Sequence, residues 1–211
     1  MLYDGSVPKR PTKGQTTRYA ILDHAVRLAT QTGLEGLTIG RLASEMGLSK
    51  SGLFAHFRSK EALQIQVLDA AAERFVDEVV RPALRERRGE PRLRAMFDRW
   101  LAWTKSNSGP GGCLFVAAAA ELDDRPGPVR DRLVELQKGW LDVMATVFRT
   151  GVEERHFRAD AEPEQFAYDV YSVMLGYHHA ERLLRDPHAA ARANAAFERL
   201  LSFVRQERRT A

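Results

Sequence analysis

Thr38, Ser49, Lys50, Ser51, Phe54, His56 and Lys60 are the side chains with most to offer a partner. Their chemistry is recognition rather than bond making: hydroxyls that donate and accept, ammonium groups and an imidazole that meet anions, and one aromatic ring. Catalysis has no comparable support. No serine sits in a nucleophile elbow, and no glycine-rich phosphate loop ending in Lys-Ser or Lys-Thr occurs. His178, His179, Glu181 and His188 cluster in sequence, and His178 with Glu181 share a helical face at i, i+3, as in carboxylate–histidine metal motifs. Yet His178 and His179 point about 100° apart on a helix. No second Glu-x-x-His unit is present, so surface histidines and ion pairs are the better reading. Cys113 is the single cysteine, which excludes an intrachain disulfide and a cysteine-rich metal site. The expectation is no enzyme, no metal and no cofactor.

Thr38 to Phe57 must position the recognition residues, and it reads as two short helices joined at Gly47. Ile39, Leu42, Ala43 and Met46 recur at helical spacing and give the first an apolar stripe. Thr38 is placed to cap it and Ser49 to cap the second, each hydroxyl accepting from an orphaned backbone N–H. Leu48 and Leu53 occupy the positions of a hydrophobic staple. Leu53 and Phe57 then face inward, leaving Lys50, Ser51, Phe54 and His56 outward. A short helix presenting small, polar and basic residues suits a DNA major groove. An ordinary helical corner would share this geometry.

The surroundings favour the first reading. The chain has 211 residues, 44% hydrophobic and 28% charged, an ordinary globular profile with a net charge of +4. Nine basic residues against four acidic ones through residue 60 leave +5 there and −1 over the rest. A basic head favours a polyanion through phosphate neutralisation. No apolar run reaches about 18 residues and the N-terminus lacks a hydrophobic leader, so the expected setting is the cytoplasm, with no membrane partner.

Residues 1–14 lack periodicity and read as a flexible arm. A helix from about Thr16 to Thr32 buries Ile21, Leu22, Ala25, Leu28 and Ala29 and ends at Gly33. Ser59 caps a long helix, with Glu61 in its first turn, predicted to run to about Pro82. Lys60, beside that positive helix end, suits a phosphate. Arg85 to Arg94 reads as a hinge between two helical blocks, and nothing beyond it reads as a strand. Helices are predicted over about 92–107, 113–122, 129–151, 163–185 and from 186–187 onward, with a break at Gly109-Pro110-Gly111-Gly112.

This order resembles the N-terminal domain of the TetR family of transcriptional regulators. The matching pieces are Gly33, Gly36-Leu37-Thr38, Ile39 to Ala43, Gly47-Leu48-Ser49, Leu53-Phe54, His56-Phe57 and Ser59-Lys60-Glu61-Ala62-Leu63. The resemblance implies an all-α homodimer. Residues 15–75 would form a three-helix DNA-binding domain with its helix-turn-helix at 38–57. Residues 76–211 would form a C-terminal effector-binding and dimerisation domain. It places Thr38 at a phosphate, Ser49, Lys50 and Ser51 at base edges or phosphates, and His56 and Lys60 on the DNA backbone. Phe54 stands where the family often has tyrosine and Ala55 where a second large polar residue is common. Phe54 has no hydroxyl for phosphate and is left to meet a thymine methyl or to pack.

In the second half, Trp100, Trp103, Phe115, Trp140, Met144, Tyr171, Met174, Tyr177 and His178 are candidates to line a pocket for a small, largely apolar effector. Core packing is the competing reading for most of them. GGCLF at 111–115 followed by Glu121 is similar to a recurrent style of TetR-type effector domain. The helix from Pro163, apolar on more than one face, and the last helix are the expected dimer element, with heads ~34–36 Å apart for successive major grooves. The function implied is a dimeric repressor of double-stranded DNA released by an effector. A protein-interaction adaptor with an inherited helix-turn-helix, and a metal-responsive regulator, are the alternatives.

Overall fold

The computed structural model describes residues 13–106 and 112–206. In chain order it contains α1 (Lys13–Thr32), α2 (Ile39–Met46), α3 (Lys50–Phe57) and α4 (Lys60–Phe75). A π-helical segment, Val76–Val80, leads into α5 (Arg81–Leu84). Then come α6 (Glu90–Ser106), α7 (Leu114–Leu122), α8 (Pro128–Glu153), α9 (Pro163–Arg182) and α10 (Ala189–Val204). Among the described residues the one extended pairing is an isolated antiparallel bridge between Phe157 and Arg205. The chain is all-α, as expected. The predicted arm lies largely outside the described residues, as does most of the Gly109–Gly112 break; α1 begins at Lys13, ahead of the predicted Thr16.

Buried side chains form two clusters. The first gathers Ile21 and Ala25 of α1, Leu42 of α2, Leu53 and Phe57 of α3, and Leu63 and Val67 of α4. It is completed by Leu114, Ala118 and Leu122 of α7 with Val129 and Leu133 of α8. Residues from the second half of the chain thus help to bury the N-terminal head. The second cluster is the body, where Phe97 stacks on Phe197 at 4.1 Å and Phe148 on Phe157 at 4.6 Å.

The long helix expected from Ser59 to Pro82 is interrupted. Arg81 N–H bonds to Val76 O, five residues back, in the turn just before Pro82. Proline has no N–H to give, and its ring crowds the carbonyl four residues back. A widened turn at that point accommodates both defects. The hinge expected over Arg85–Arg94 is also shorter. Residues 85–89 alone lie outside helix, because Glu90 and Pro91 open α6 and a first-turn proline is tolerated.

Candidate nucleic-acid interface and ligand cavity

Local chemistry sets the corner between α2 and α3. Thr38, in extended backbone, accepts from Arg41 N–H at 3.1 Å, and Ser49 accepts from Gly52 N–H at 3.1 Å. Between them Gly47 takes a left-handed φ of 63°, which glycine adopts without a Cβ penalty. Leu48 N–H reaches back to Ala43 O and Gly47 N–H to Ser44 O, the paired bonds of a Schellman stop. Leu48, the expected staple partner of Leu53, stays exposed.

This corner turns a small polar surface outward. Thr38, Ser49, Lys50, Ser51 and Phe54 are exposed, and His56 is half-buried beside Phe57. Phe54 is 56% exposed, so most of its ring is open to solvent. Lys60 sits at the start of α4 as expected, but its ammonium meets Glu35 at 3.3 Å. Any phosphate contact by Lys60 must compete with that carboxylate. Arg58, exposed at the end of α3 with a φ of 62°, was not foreseen; the sequence gives no cue to that backbone.

The loop ahead of Thr38 is held from two sides. The Glu121 carboxylate, at the end of α7, accepts Leu34 N–H at 3.2 Å and Glu35 N–H at 2.8 Å. Buried Gln64 of α4 donates to Leu34 O at 2.7 Å. Glu121 was legible only as an acidic residue after alanines, because its partners lie far away in sequence.

In the body, a cavity of about 520 Å³ opens between α4, the π segment, α6, α7, α8 and α9. Phe75, Val76, Val80, Trp100, Phe115, Val116, Trp140, Val143 and Tyr171 make its wall predominantly apolar. Tyr171 Oη donates to Gln137 Oε1 at 3.2 Å, and Gln137 Nε2 donates to Phe115 O at 3.2 Å, forming a polar floor. Burial, with a smaller contribution from Cys113, pushes the Tyr171 phenol up to about 12, so it stays a neutral hydroxyl. Cys113, also in the wall, has its thiol pushed up by burial. Arg132, Glu135, Lys138 and Asp142 add charge, with Arg132 tied to Asp69 and Glu135.

Of the residues expected to line a pocket, Trp100, Phe115, Trp140 and Tyr171 come together here. Met144 and Met174 point into the packed core instead, and Tyr177 is buried against Trp100 at 6.4 Å. Trp103 lies behind the wall, edge-on to Phe75 at 5.6 Å. Val76, Val116 and Gln137 were not anticipated; helical spacing marks a residue as inward without saying whether it meets a void or a neighbour. His178, on α9, accepts the Cys113 N–H just ahead of α7 through its Nε2 at 3.4 Å. Among the described residues no group of three or more His, Cys, Asp or Glu side chains is arranged to hold a metal, and no helix is long and apolar enough to cross a membrane.

Burial, then Arg182 and His179, hold the His178 imidazole below its ordinary 6.5. The folded chain therefore binds this proton less readily than the unfolded chain does. Its contribution to stability is fully present above about pH 6.5 and is lost as pH falls from there through the folded value. Wild type is expected to lose more melting temperature between about pH 8 and about pH 5.5 than His178→Gln does. Equal losses would remove His178 from the account.

A capped helix-turn-helix on a helical body with a cavity is the layout of the helix-turn-helix class of DNA-binding proteins. Residues 21–67 match the family model described as bacterial regulatory proteins, tetR family, and residues 89–197 match that described as tetracyclin repressor-like, C-terminal domain. The chain belongs to the TetR family of DNA-binding transcriptional regulators. It is 25% identical over 163 residues to the HTH-type transcriptional repressor NemR of Escherichia coli (strain K12), spanning 76% of this chain and 81% of that protein. A TetR transcriptional regulator from Chloroflexus aurantiacus J-10-FL superposes with a TM-score of 0.80 at 25% identity, over 92% of this chain and 98% of that one. AibR, solved in complex with isovaleryl coenzyme A and operator DNA, shares the fold with a TM-score of 0.65 at 20% identity, over 89% of this chain and 97% of that one.

Proposed function

We propose that this regulator is a cytoplasmic homodimeric repressor that holds a near-palindromic operator and leaves it when a small, largely apolar effector enters the cavity. The carrying observation is the cavity's position: its wall includes Ala72 and Phe75 of α4, the helix whose first turn packs under α3. An effector preferring a wider or shifted wall would change the spacing of two heads and so shift the population off DNA. Thr38, Ser49, Lys50, Ser51 and His56 would meet phosphates and base edges, with Phe54 against a thymine methyl and Lys60 on the backbone after parting from Glu35. The neutral phenol of Tyr171 and the amide of Gln137 favour an uncharged effector with one hydrogen-bonding end. Tyr168, Leu175, Leu183, Leu184 and Phe203 are exposed apolar residues on or beside α9 and α10, which supports pairing of two copies there. AibR, a protein of this fold, was solved with isovaleryl coenzyme A and operator DNA together, which supports a reading in which DNA and a non-protein ligand share one regulator.

The test begins with a duplex selected from a random-sequence pool by the purified protein. Two chains per duplex and a steep loss of affinity with salt are expected. A panel of neutral aromatic and aliphatic compounds is then screened for raised melting temperature, and a stabilising compound should release the duplex. Salt-insensitive binding, no selected sequence, or stabilising compounds that leave the duplex bound would refute the reading.

A further inference from the structure

We propose that Glu121 is the positioning residue through which the cavity controls the DNA-reading corner; this rests on the repressor reading above. α4 and α7 both line the cavity and grip the loop before Thr38, α7 with its first turn in the wall and its last turn on the loop. Phe115 and Val116 form part of the cavity wall, and Phe115 O accepts from Gln137 on the polar floor. Glu121 lies about 9 Å further along the same helix, at 1.5 Å rise per residue. Leu114, Ala118 and Leu122 embed α7 in the head's core, so the helix moves as a piece with little slack.

The grip itself is short and directional. Two backbone N–H groups in succession point at one carboxylate, and charge-assisted bonds of this kind are the strong ones. Space enforces it as well: Gly33 has a φ of 78°, and a Cβ built there would fall 2.4 Å from Glu121 Oε1. Glycine at 33 is what lets the carboxylate approach. The loop it holds ends at Thr38, the cap of α2, so a shift of α7 tilts α2 and with it the recognition helix. Gln64 grips the same loop from α4 at Leu34 O. An effector that displaces Phe115 or Val116 would withdraw the α7 grip while leaving the α4 grip in place.

The experiment is a mutant cycle read on the selected duplex. Val116→Trp places an indole in the cavity and stands in for an occupant; Val143→Trp does the same from α8. In the wild-type background each is expected to weaken duplex binding about tenfold. Glu121→Gln keeps the shape of the side chain but turns an amide donor towards one of the two N–H groups. It should weaken binding about fivefold by itself. With Glu121→Gln present, the cavity-filling changes should cost at most about twofold more. Amide exchange at Leu34 and Glu35 should also quicken in Val116→Trp while amides inside α4 keep their rates. Equal weakening in both backgrounds, or unchanged exchange at Leu34 and Glu35, overturns the role of Glu121 alone. Filled cavities that leave duplex affinity unchanged in both backgrounds overturn the repressor reading and this inference together.

Discussion

Phe148→Ala is expected to remove about 3–5 kcal/mol of stability, the range for a large aromatic taken from a core. Phe148 is wholly buried and stacks on Phe157 at 4.6 Å with the rings 4° apart, while Phe166 closes on it at 4.5 Å. The size of the loss depends on whether neighbours can fill the space, and here they are pinned. Phe157 passes so close over Gly151 that a Cβ on Gly151 would fall 2.3 Å from its ring. Its backbone is paired with Arg205, with Arg158 N–H to Val204 O and Gln206 N–H to His156 O on either side. The site therefore keeps most of the cavity that the mutation creates. Urea unfolding should show a lower midpoint with an unchanged slope. A loss below about 1 kcal/mol would mean that the loop after α8 collapses into the gap.

What could be read from the sequence was what is local. Thr38, Ser49 and Ser59 each accept from an N–H three residues on, and those bonds are written in adjacent positions. The helix-turn-helix was legible for this reason, and its family relationship with it. α4 was less so, because the π turn answers a conflict between a strong helical pattern and Pro82. α7 was legible as a helix but not in its allegiance. Its small apolar residues fit either core, and only the fold shows Ala118 against the head. The cavity wall mixes residues of the right type, such as Trp140, with Val116 and Gln137, which no spacing distinguishes. Met144 and Met174 share their helical faces with wall residues and still pack solidly. Glu121 lay furthest from view, because an acceptor for Leu34 and Glu35 is defined by distance in space alone.

Lys50→Glu is expected to weaken binding to the selected duplex about 100-fold, since an anion placed against phosphate costs several kcal/mol. Lys50 is the first residue of α3 after its Ser49 cap, is exposed, and reaches over Gly40 of α2. Arg41 is held by Glu45 within α2, whereas Lys50 forms no salt bridge among the described residues. The same substitution should spare the fold. A carboxylate in the first turn faces the positive end of the helix dipole, worth about 0.3–1 kcal/mol in favour of α3. Affinity and stability are thus predicted to move in opposite directions, which separates loss of recognition from loss of structure. The salt dependence gives a second readout: one fewer neutralised phosphate per chain, two per duplex-bound dimer, lowers the slope of log affinity against log salt by about 1.8. A mutant with wild-type affinity and slope would place the DNA on another face, and Ser49, Ser51 and His56 would fall with Lys50. A mutant that loses both binding and melting temperature would instead mean that Lys50 supports the α2–α3 corner. The expected result keeps the corner, as Thr38 and Gly47 build it, and removes only the charge it presents.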